Sequence, residues 1–185
     1  MNKKVVIFTA PSGSGKSTIV QEILKDRFFG LSISATTRDA RNYEIDGKHY
    51  HFLSIDDFKY KIDNNEFVEY EEVYENQFYG TLKKQLEEIW AENKIVLFDV
   101  DVKGAITLKE YFGDNALSVF IKVPSMDVLI KRLHSRGTET DESLRKRVDK
   151  FESELQYMNR FDYILINDEL NNTINNIRTK IGHWI

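Results

Sequence analysis

The stretch from Val5 to Thr18 reads VVIFTAPSGSGKST: an apolar β-branched run, a glycine-rich loop, then Lys-Ser-Thr. Its spacing is that of G-x-x-x-x-G-K-[ST], except that Ala10 stands where the first glycine is usual. A loop of this kind arrays backbone N–H groups around an anion at the N-terminus of the helix that follows. It therefore prescribes a buried strand, a tight turn and a helix, in that order. Glycine is required where φ is positive or where another group must approach closely. Position 10 shows neither need, because Pro11 follows and pushes the preceding residue toward extended backbone with negative φ. Gly13 and Gly15 remain to supply the unusual torsions. Ala10, Pro11, Ser12, Gly13, Ser14, Gly15, Lys16, Ser17 and Thr18 are thus expected to cradle nucleotide phosphates. Lys16 would reach the β- and γ-phosphates, and Ser17 would offer its hydroxyl to Mg²⁺. The plain alternative is a Gly/Ser turn into a helix with no ligand. Ile19, Val20, Ile23 and Leu24 recur at helix spacing after the loop, which favours the first reading.

Three more apolar runs read as buried parallel strands: IVLFDV at 95–100, LSVFIKV at 117–123 and YILIN at 163–167. Helical patterns separate them. The expected fold class is α/β, a parallel sheet flanked by helices. Two stretches break that rhythm. Within 34–81 are short strand-like pieces (LSISAT, begun at Leu31, then HYHFLS and FVEYEEV) and a helix over about 55–64 that Ser54 and Asp57 would cap. This reads as a small α+β insertion. Residues 125–160 read as two helices forming a lid. Ser125 caps the first, and Arg136-Gly137 ends it. Leu144, Val148, Phe151, Leu155 and Met158 form an apolar stripe on the second. The core would then comprise 1–33, 82–124 and 161–185.

The 185 residues suffice for one sizeable core. The net charge of −4 disfavours a nucleic-acid partner, and the absence of cysteine excludes disulfides and thiolate chemistry. The apolar run at 5–8 is too short for a signal peptide or membrane span, so a cytoplasmic protein without membrane contact is expected. Either a monomer or a homo-oligomer is compatible with the sequence.

The insertion and the second strand carry further polar groups. SATTRDAR at 34–41 holds Arg38 and Arg41, which alone would pass for a solvated surface. Tyr50, Glu69, Tyr79 and Thr81 follow. LFDVDVKG places Asp99 and Asp101 at the end of a central strand, where residues two apart share a face. The carboxyl ends of such strands are where these sheets bind ligands. His49 and His51 read as core-edge or surface packing rather than a metal pair.

These pieces together resemble the guanylate kinase family over about residues 4–182. The resemblance implies transfer of a phosphoryl group from ATP to GMP, and to dGMP, with Mg²⁺. It implies that Ser34, Arg38, Arg41, Tyr50 and Tyr79 hold the GMP phosphate, while Glu69, Thr81 and Asp101 read guanine. Asp99 would lie near the phosphates and Mg²⁺. Lys16, Arg38, Asp99 and the lid residues Arg132, Arg136 and Arg147 would act at the migrating phosphoryl group, with Asn167 and Arg136 toward adenine. The chemistry agrees independently: a carboxylate accepts from both N1–H and the N2 amine of guanine, and adenine offers no such pair. Where the family commonly has T-P-R-x-G-E, this chain has DARNYE, with Ala40 and Tyr43 replacing proline and glycine. A looser turn under Arg41 is the expectation. Two rival readings are a non-catalytic phosphopeptide-binding module of the same fold and a kinase for another small phosphate, such as a ribose bisphosphate. Intact Gly15-Lys16-Ser17 with both aspartates opposes the first, and Glu69 with Thr81 and Asp101 opposes the second.

Overall fold

The structure is a computed structural model that describes residues 3–134 and 141–185, the side chains of 141–144 and 146 excepted. Every residue of β1 (Val5–Thr9) is buried, so the strand needs cover on both faces and a partner along both edges. It leads through the glycine loop into α1 (Lys16–Ile23), then β2 (Phe29–Leu31). After the insertion the chain returns by α3 (Lys83–Ala91), β7 (Ile95–Asp99), α4 (Val102–Phe112) and β8 (Ala116–Lys122). It continues through α5 (Met126–His134), α6 (Asp141–Leu155), β9 (Tyr163–Ile166) and α7 (Leu170–Trp184). The sheet is parallel, in the order β2-β7-β1-β8-β9. The direction of winding changes at β1, between β7 and β8, so the loops leaving the carboxyl ends of β1 and β7 open into one crevice.

Alternation along β1 divides the core in two. Val6 and Phe8 pack with Ile19 and Ile23 of α1 and with Ile174, Ile177 and Ile181 of α7. Val5 and Ile7 pack on the other face with Leu86 and Trp90 of α3 and Ala105 and Leu108 of α4. Phe8 is wholly buried, and truncation to alanine should cost about 3–5 kcal/mol.

The insertion forms a second sheet, β4-β3-β6-β5, built from β3 (Ala35–Thr36), β4 (His51–Phe52), β5 (Phe67–Tyr74) and β6 (Gln77–Leu82). Helix α2 (Ile55–Asp63) covers it through Phe58, which stacks on Phe67 and Phe78. Ser54 caps α2 as expected, accepting from the Asp57 N–H at 3.0 Å. The expected strand LSISAT is corrected. Leu31 ends β2 in the parallel sheet, and Ala35–Thr36 belongs to the second sheet. An apolar pattern cannot tell which sheet a strand will join. β2 escaped notice because it has three half-buried residues, one of them Gly30. A Cβ there would come within 2.6 Å of Ile89 Cγ2, so α3 requires the glycine.

In the helical flap, Ser125 faces the first turn of α5, with the Val128 N–H 3.4 Å from its hydroxyl. Arg136-Gly137 and the side chain of Leu144 lie outside the described residues. Phe151 and Leu155 of α6 pack with Leu129 and Leu133. Met158 falls in a 3₁₀ turn at 158–160 rather than on the helix, and packs beneath the main sheet.

Candidate active site

Gly13 (φ 89°) and Gly15 (φ 87°) both have left-handed backbone, and Ala10 does not. Close approach imposes a second demand on the same glycines. A Cβ on Gly13 would sit 2.8 Å from Leu129 Cδ1, and one on Gly15 would collide with the Asn167 amide. The loop therefore lets the β9 end and the flap press against it. Asn167 is 6% exposed and its Nδ2 donates to the Ser14 carbonyl at 2.7 Å. Its own N–H goes to the Lys122 carbonyl at 2.8 Å. Arg132 donates to the carbonyls of Asn167 and Asp168 at 3.0 and 3.1 Å. Arg147 donates to Ser12 Oγ at 2.5 Å, so α6 already rests on the loop. Arg136 lies outside the described residues.

The loop floors a cavity of about 290 Å³ walled by Asp101, Lys150 and Glu154, with Ser17 and Thr18 exposed at the first turn of α1. On the other side of Gly13 and Gly15, Arg132, Asn167, Asp168 and Leu170 line a shallower recess of about 320 Å³. Lys16 stretches under the loop, its ammonium 2.5 Å from Asp99 Oδ1 and 2.6 Å from the Val100 carbonyl. Strand β1 thus delivers the lysine through α1, and its neighbour β7 delivers the acid.

The expectation that Asp99 and Asp101 share a strand face is corrected. β7 ends at Asp99, and Asp101 is the N-cap of α4, its Oδ1 accepting from the Gly104 N–H at 2.8 Å. The cap is a structural reason for the second acid that strand spacing conceals. Both acids nevertheless border one cavity of about 330 Å³, together with Ser34, Tyr50, Glu69, Glu71, Tyr79 and Gly80.

Glu69 lines that cavity and is paired across β5 and β6 with Thr81, which lies behind it and does not itself line the cavity. Thr81 is wholly buried, and its hydroxyl donates to Glu69 Oε1 at 2.7 Å. Burial pushes the Glu69 carboxyl up; the Thr81 bond opposes this and the nearby Asp101 charge adds to it. Tyr50 and Tyr79 meet edge to face at 5.9 Å, and burial also raises the Tyr50 phenol. The Arg38 guanidinium lies over the Tyr50 and Phe52 rings, 5.4 and 5.8 Å from their centroids. It is locked to Glu44, whose carboxylate raises the guanidinium's pKa further above its usual range. Arg38 therefore backs the two tyrosines of the cavity.

Arg41 is exposed, pairs with the Tyr43 hydroxyl at 3.0 Å and does not line the cavity. The turn beneath it is not loose. The Glu44 N–H donates to the Arg41 carbonyl at 2.9 Å, and the Arg41 N–H donates to Glu44 Oε2 at 2.8 Å. Glu44, the acid that closes both DARNYE and the family's T-P-R-x-G-E, holds the turn without the proline and glycine, and Arg41 pairs with Tyr43 outside the cavity. Sequence reading passed over Glu44 although it closes DARNYE, three residues after Arg41. It also passed over Glu71, two residues from Glu69 on β5, and over Lys150 and Glu154, three and seven residues from Arg147 on α6. The histidines behave as packing groups: His49 Nδ1 accepts from the Ile45 N–H at 3.0 Å, and His51 meets Gln85 at 3.3 Å. A larger cavity, about 500 Å³, lies at the amino ends of the strands among Phe28, Phe29, Trp90, Ile95, Ile181 and Ile185. It is remote from the lysine, acids and glycine loop.

The family model described as guanylate kinase matches residues 2–183. A guanylate kinase of Porphyromonas gingivalis is 48% identical over 184 residues, covering 98% of each chain. One of Salinibacter ruber is 46% identical over 187 residues, covering 100% of this chain and 98% of the other. The crystal structure of guanylate kinase from Anaplasma phagocytophilum superposes with a TM-score of 0.74 at 26% identity, over 97% of this chain and 85% of that one. A shikimate kinase structure from Bacteroides thetaiotaomicron, TM-score 0.51 and 15% identical over 97% of this chain and 98% of the other, shares the fold.

Proposed function

The chain belongs to the guanylate kinase family and phosphorylates GMP with ATP as donor, and we propose that its two adjoining cavities divide the nucleotides between them. The cavity floored by residues 10–18 takes the ATP phosphates, and the one walled by Glu69, Tyr50 and Tyr79 takes GMP. The observation that carries this is the Lys16–Asp99 pair at 2.5 Å, because Lys16 belongs to the first cavity and Asp99 borders the second. A phosphoryl group passing between them crosses that pair.

Glu69 receives the N1–H and N2 amine of guanine, and adenine would leave it facing an unprotonated ring nitrogen. A buried acceptor left unpaired in this way discriminates by about 10⁴–10⁵. In the structure the single Thr81 proton points to Glu69 and orients it. Guanine, by satisfying Glu69, releases that proton to swing toward O6. Asp101 adds an acceptor at the same wall. Ser34, Tyr50, Tyr79 and Arg38 meet the GMP phosphate, joined by Arg41 when it turns from Tyr43. These contacts fall on base and phosphate, so dGMP is a substrate as well.

Phosphoryl transfer is mainly positioning and neutralisation of the migrating charge. Lys16, Arg132 and Arg147 supply positive charge around the loop, and Arg136 belongs with them by sequence. Lys16 shifts from Asp99 and the Val100 carbonyl toward the phosphates. No residue needs to form a covalent intermediate, so transfer is direct and in line. Asn167 and the recess beyond Gly15 adjoin adenine.

The donor set also fits Mg²⁺. Ser17 presents an exposed hydroxyl at the α1 N-terminus, and Asp99 and Asp101 offer carboxylate oxygens nearby. Among the described residues no three His, Cys, Asp or Glu side chains form a complete metal cage. A partial sphere of hard oxygens suits an ion that keeps waters and takes phosphate oxygens. Bound there, Mg²⁺ would neutralise phosphate charge.

Among the described residues no helix is long and apolar enough to cross a membrane. We place the enzyme in the cytoplasm, where its substrates are. A coupled ADP-release assay across GMP, dGMP, AMP, UMP and CMP tests the assignment, with Lys16→Ala as the inactive control. Selective turnover of GMP and dGMP is expected. Turnover of AMP first, or of GMP by Lys16→Ala, would overturn it.

A further inference from the structure

Arg147, Lys150 and Glu154 follow one another on α6 at the spacing i, i+3, i+7, which is one face of a helix. Arg147 bonds Ser12, and Lys150 and Glu154 line the cavity above the glycine loop, so this face is turned to the phosphate cradle. Neither Lys150 nor Glu154 figures in the roles set out above.

Glu154 is an unusual group to find there. Its side chain is 13% exposed, and its Oε2 is buried without a hydrogen-bond partner. Burial pushes its carboxyl up, and Lys150 is the main influence holding it down. Oε1 lies 3.6 Å from Lys150 Nζ. A buried carboxylate oxygen without a partner at the wall of a cavity calls for an explanation, and a functional role supplies one. Carboxylate and phosphate are both acceptors, so Glu154 cannot meet the ligand directly. It can act on phosphate only through a cation. The cation paired with Glu154 is Lys150, which has two further protons to give, whereas Lys16 pairs with Asp99 and the Val100 carbonyl.

We propose that Lys150 is a further phosphate-binding residue for ATP, and that Glu154 is the positioning residue that holds its ammonium over the loop. The Lys150 side chain is 64% exposed, and without an anchor its ammonium would spend most of its time in solvent. Glu154 limits that freedom, so less side-chain entropy is lost when phosphate arrives. The inference rests on the reading that this cavity takes the ATP phosphates.

The test is calorimetric ATP binding to the full chain at several salt concentrations, with thermal melts to check folding. Lys150→Met should weaken ATP about tenfold, flatten the salt dependence and leave GMP affinity unchanged. Lys150→Arg should restore most of the loss. Glu154→Gln should weaken ATP in the wild-type background and add nothing to Lys150→Met. Unchanged ATP affinity and salt slope in Lys150→Met overturn the proposal. An equal loss from Glu154→Gln with and without Lys150 overturns the positioning role. Lys16→Ala separates the two readings. If it abolishes ATP binding while Lys150→Met binds normally, this inference alone falls. If Lys16→Ala binds ATP as wild type, the assignment of the cavity falls and takes this inference with it.

Discussion

Arg38 and Glu44 meet in a two-pronged ion pair, Nη1 to Oε2 at 2.9 Å and Nη2 to Oε1 at 2.8 Å. The fork geometry fixes the guanidinium plane, and the Tyr50 and Phe52 rings beneath it fix its depth. The same carboxylate takes the Arg41 N–H, so one acid sets both the arginine and the turn behind it.

Glu44→Gln should therefore raise the KM for GMP about tenfold with a smaller change in kcat, as expected for loss of a charged hydrogen bond. The pH sign follows from the Arg38 hydrogen bonds, which lower the Glu44 carboxyl from 4.5 to about 2. A depressed carboxyl stabilises the fold above its ordinary value and loses that contribution as pH falls toward 2. Acid titration of unfolding should show the wild type losing stability over that window and Glu44→Gln losing less. GMP affinity between pH 6 and 8 should show no titration from this pair.

Glu69 presents the opposite sign. Burial raises its carboxyl, so the folded state holds a proton more tightly than the unfolded chain. Its ionised form thus costs stability at neutral pH, and the cost fades as pH falls and the group protonates. Glu69→Gln should raise the Tm at pH 7–8, with the gain vanishing in acid. The same variant should lose GMP affinity and selectivity over AMP by at least about tenfold. Equal melting temperatures at every pH, or retained base selectivity, would refute this reading.

Asn167 ties β9 to the loop through Ser14. Asn167→Ala removes a buried donor and should cost about 1–3 kcal/mol in denaturant unfolding. The KM for ATP should rise while that for GMP holds. Gly15→Ala should abolish turnover. The double variant Gly15→Ala/Asn167→Ala should not recover it, because removing the amide relieves the collision but not the left-handed φ of 87°.

Ala10 packs against the core without a left-handed backbone. Ala10→Gly should leave kcat and both KM values within about twofold and lower stability by about 0.4–1 kcal/mol through added freedom of the unfolded chain. A several-fold rise in turnover would show that the loop gains from glycine at that position.

Much of the catalytic end was legible because its signals are local. A β-branched run, a Gly-x-Gly-Lys-Ser turn and a helical stripe act within fifteen residues or so, and their torsions belong to the residues themselves. The role of Gly13 and Gly15, the ease of Ala10 and the Ser54 cap of α2 all belong to this class. β1, β7, β8 and β9 were readable for the same reason, since continuous apolar runs suit strands of a parallel sheet, although β9 at the sheet edge is only partly buried.

Other features required the folded chain. Asp101 looked like the second tooth of a strand and is a helix cap, because hydrogen bonding at the end of β7, rather than spacing, decides where the strand stops. LSISAT looked like one strand and serves two sheets. Arg41 looked like a partner of Arg38 in the pocket and is turned to Tyr43.

What the sequence determined on its own was the chemistry on offer: a glycine-lysine cradle, paired aspartates, an acid fit for guanine and a lid rich in arginine. What the tertiary structure decided was which of these groups share a wall. Asn167 reaches Ser14 across 153 positions, Lys16 reaches Asp99 across a strand boundary, and Lys150 leans on a buried Glu154 above the loop. Such pairings depend on sheet order and helix packing, which arise from burial summed over the whole chain, so no local stretch can encode them.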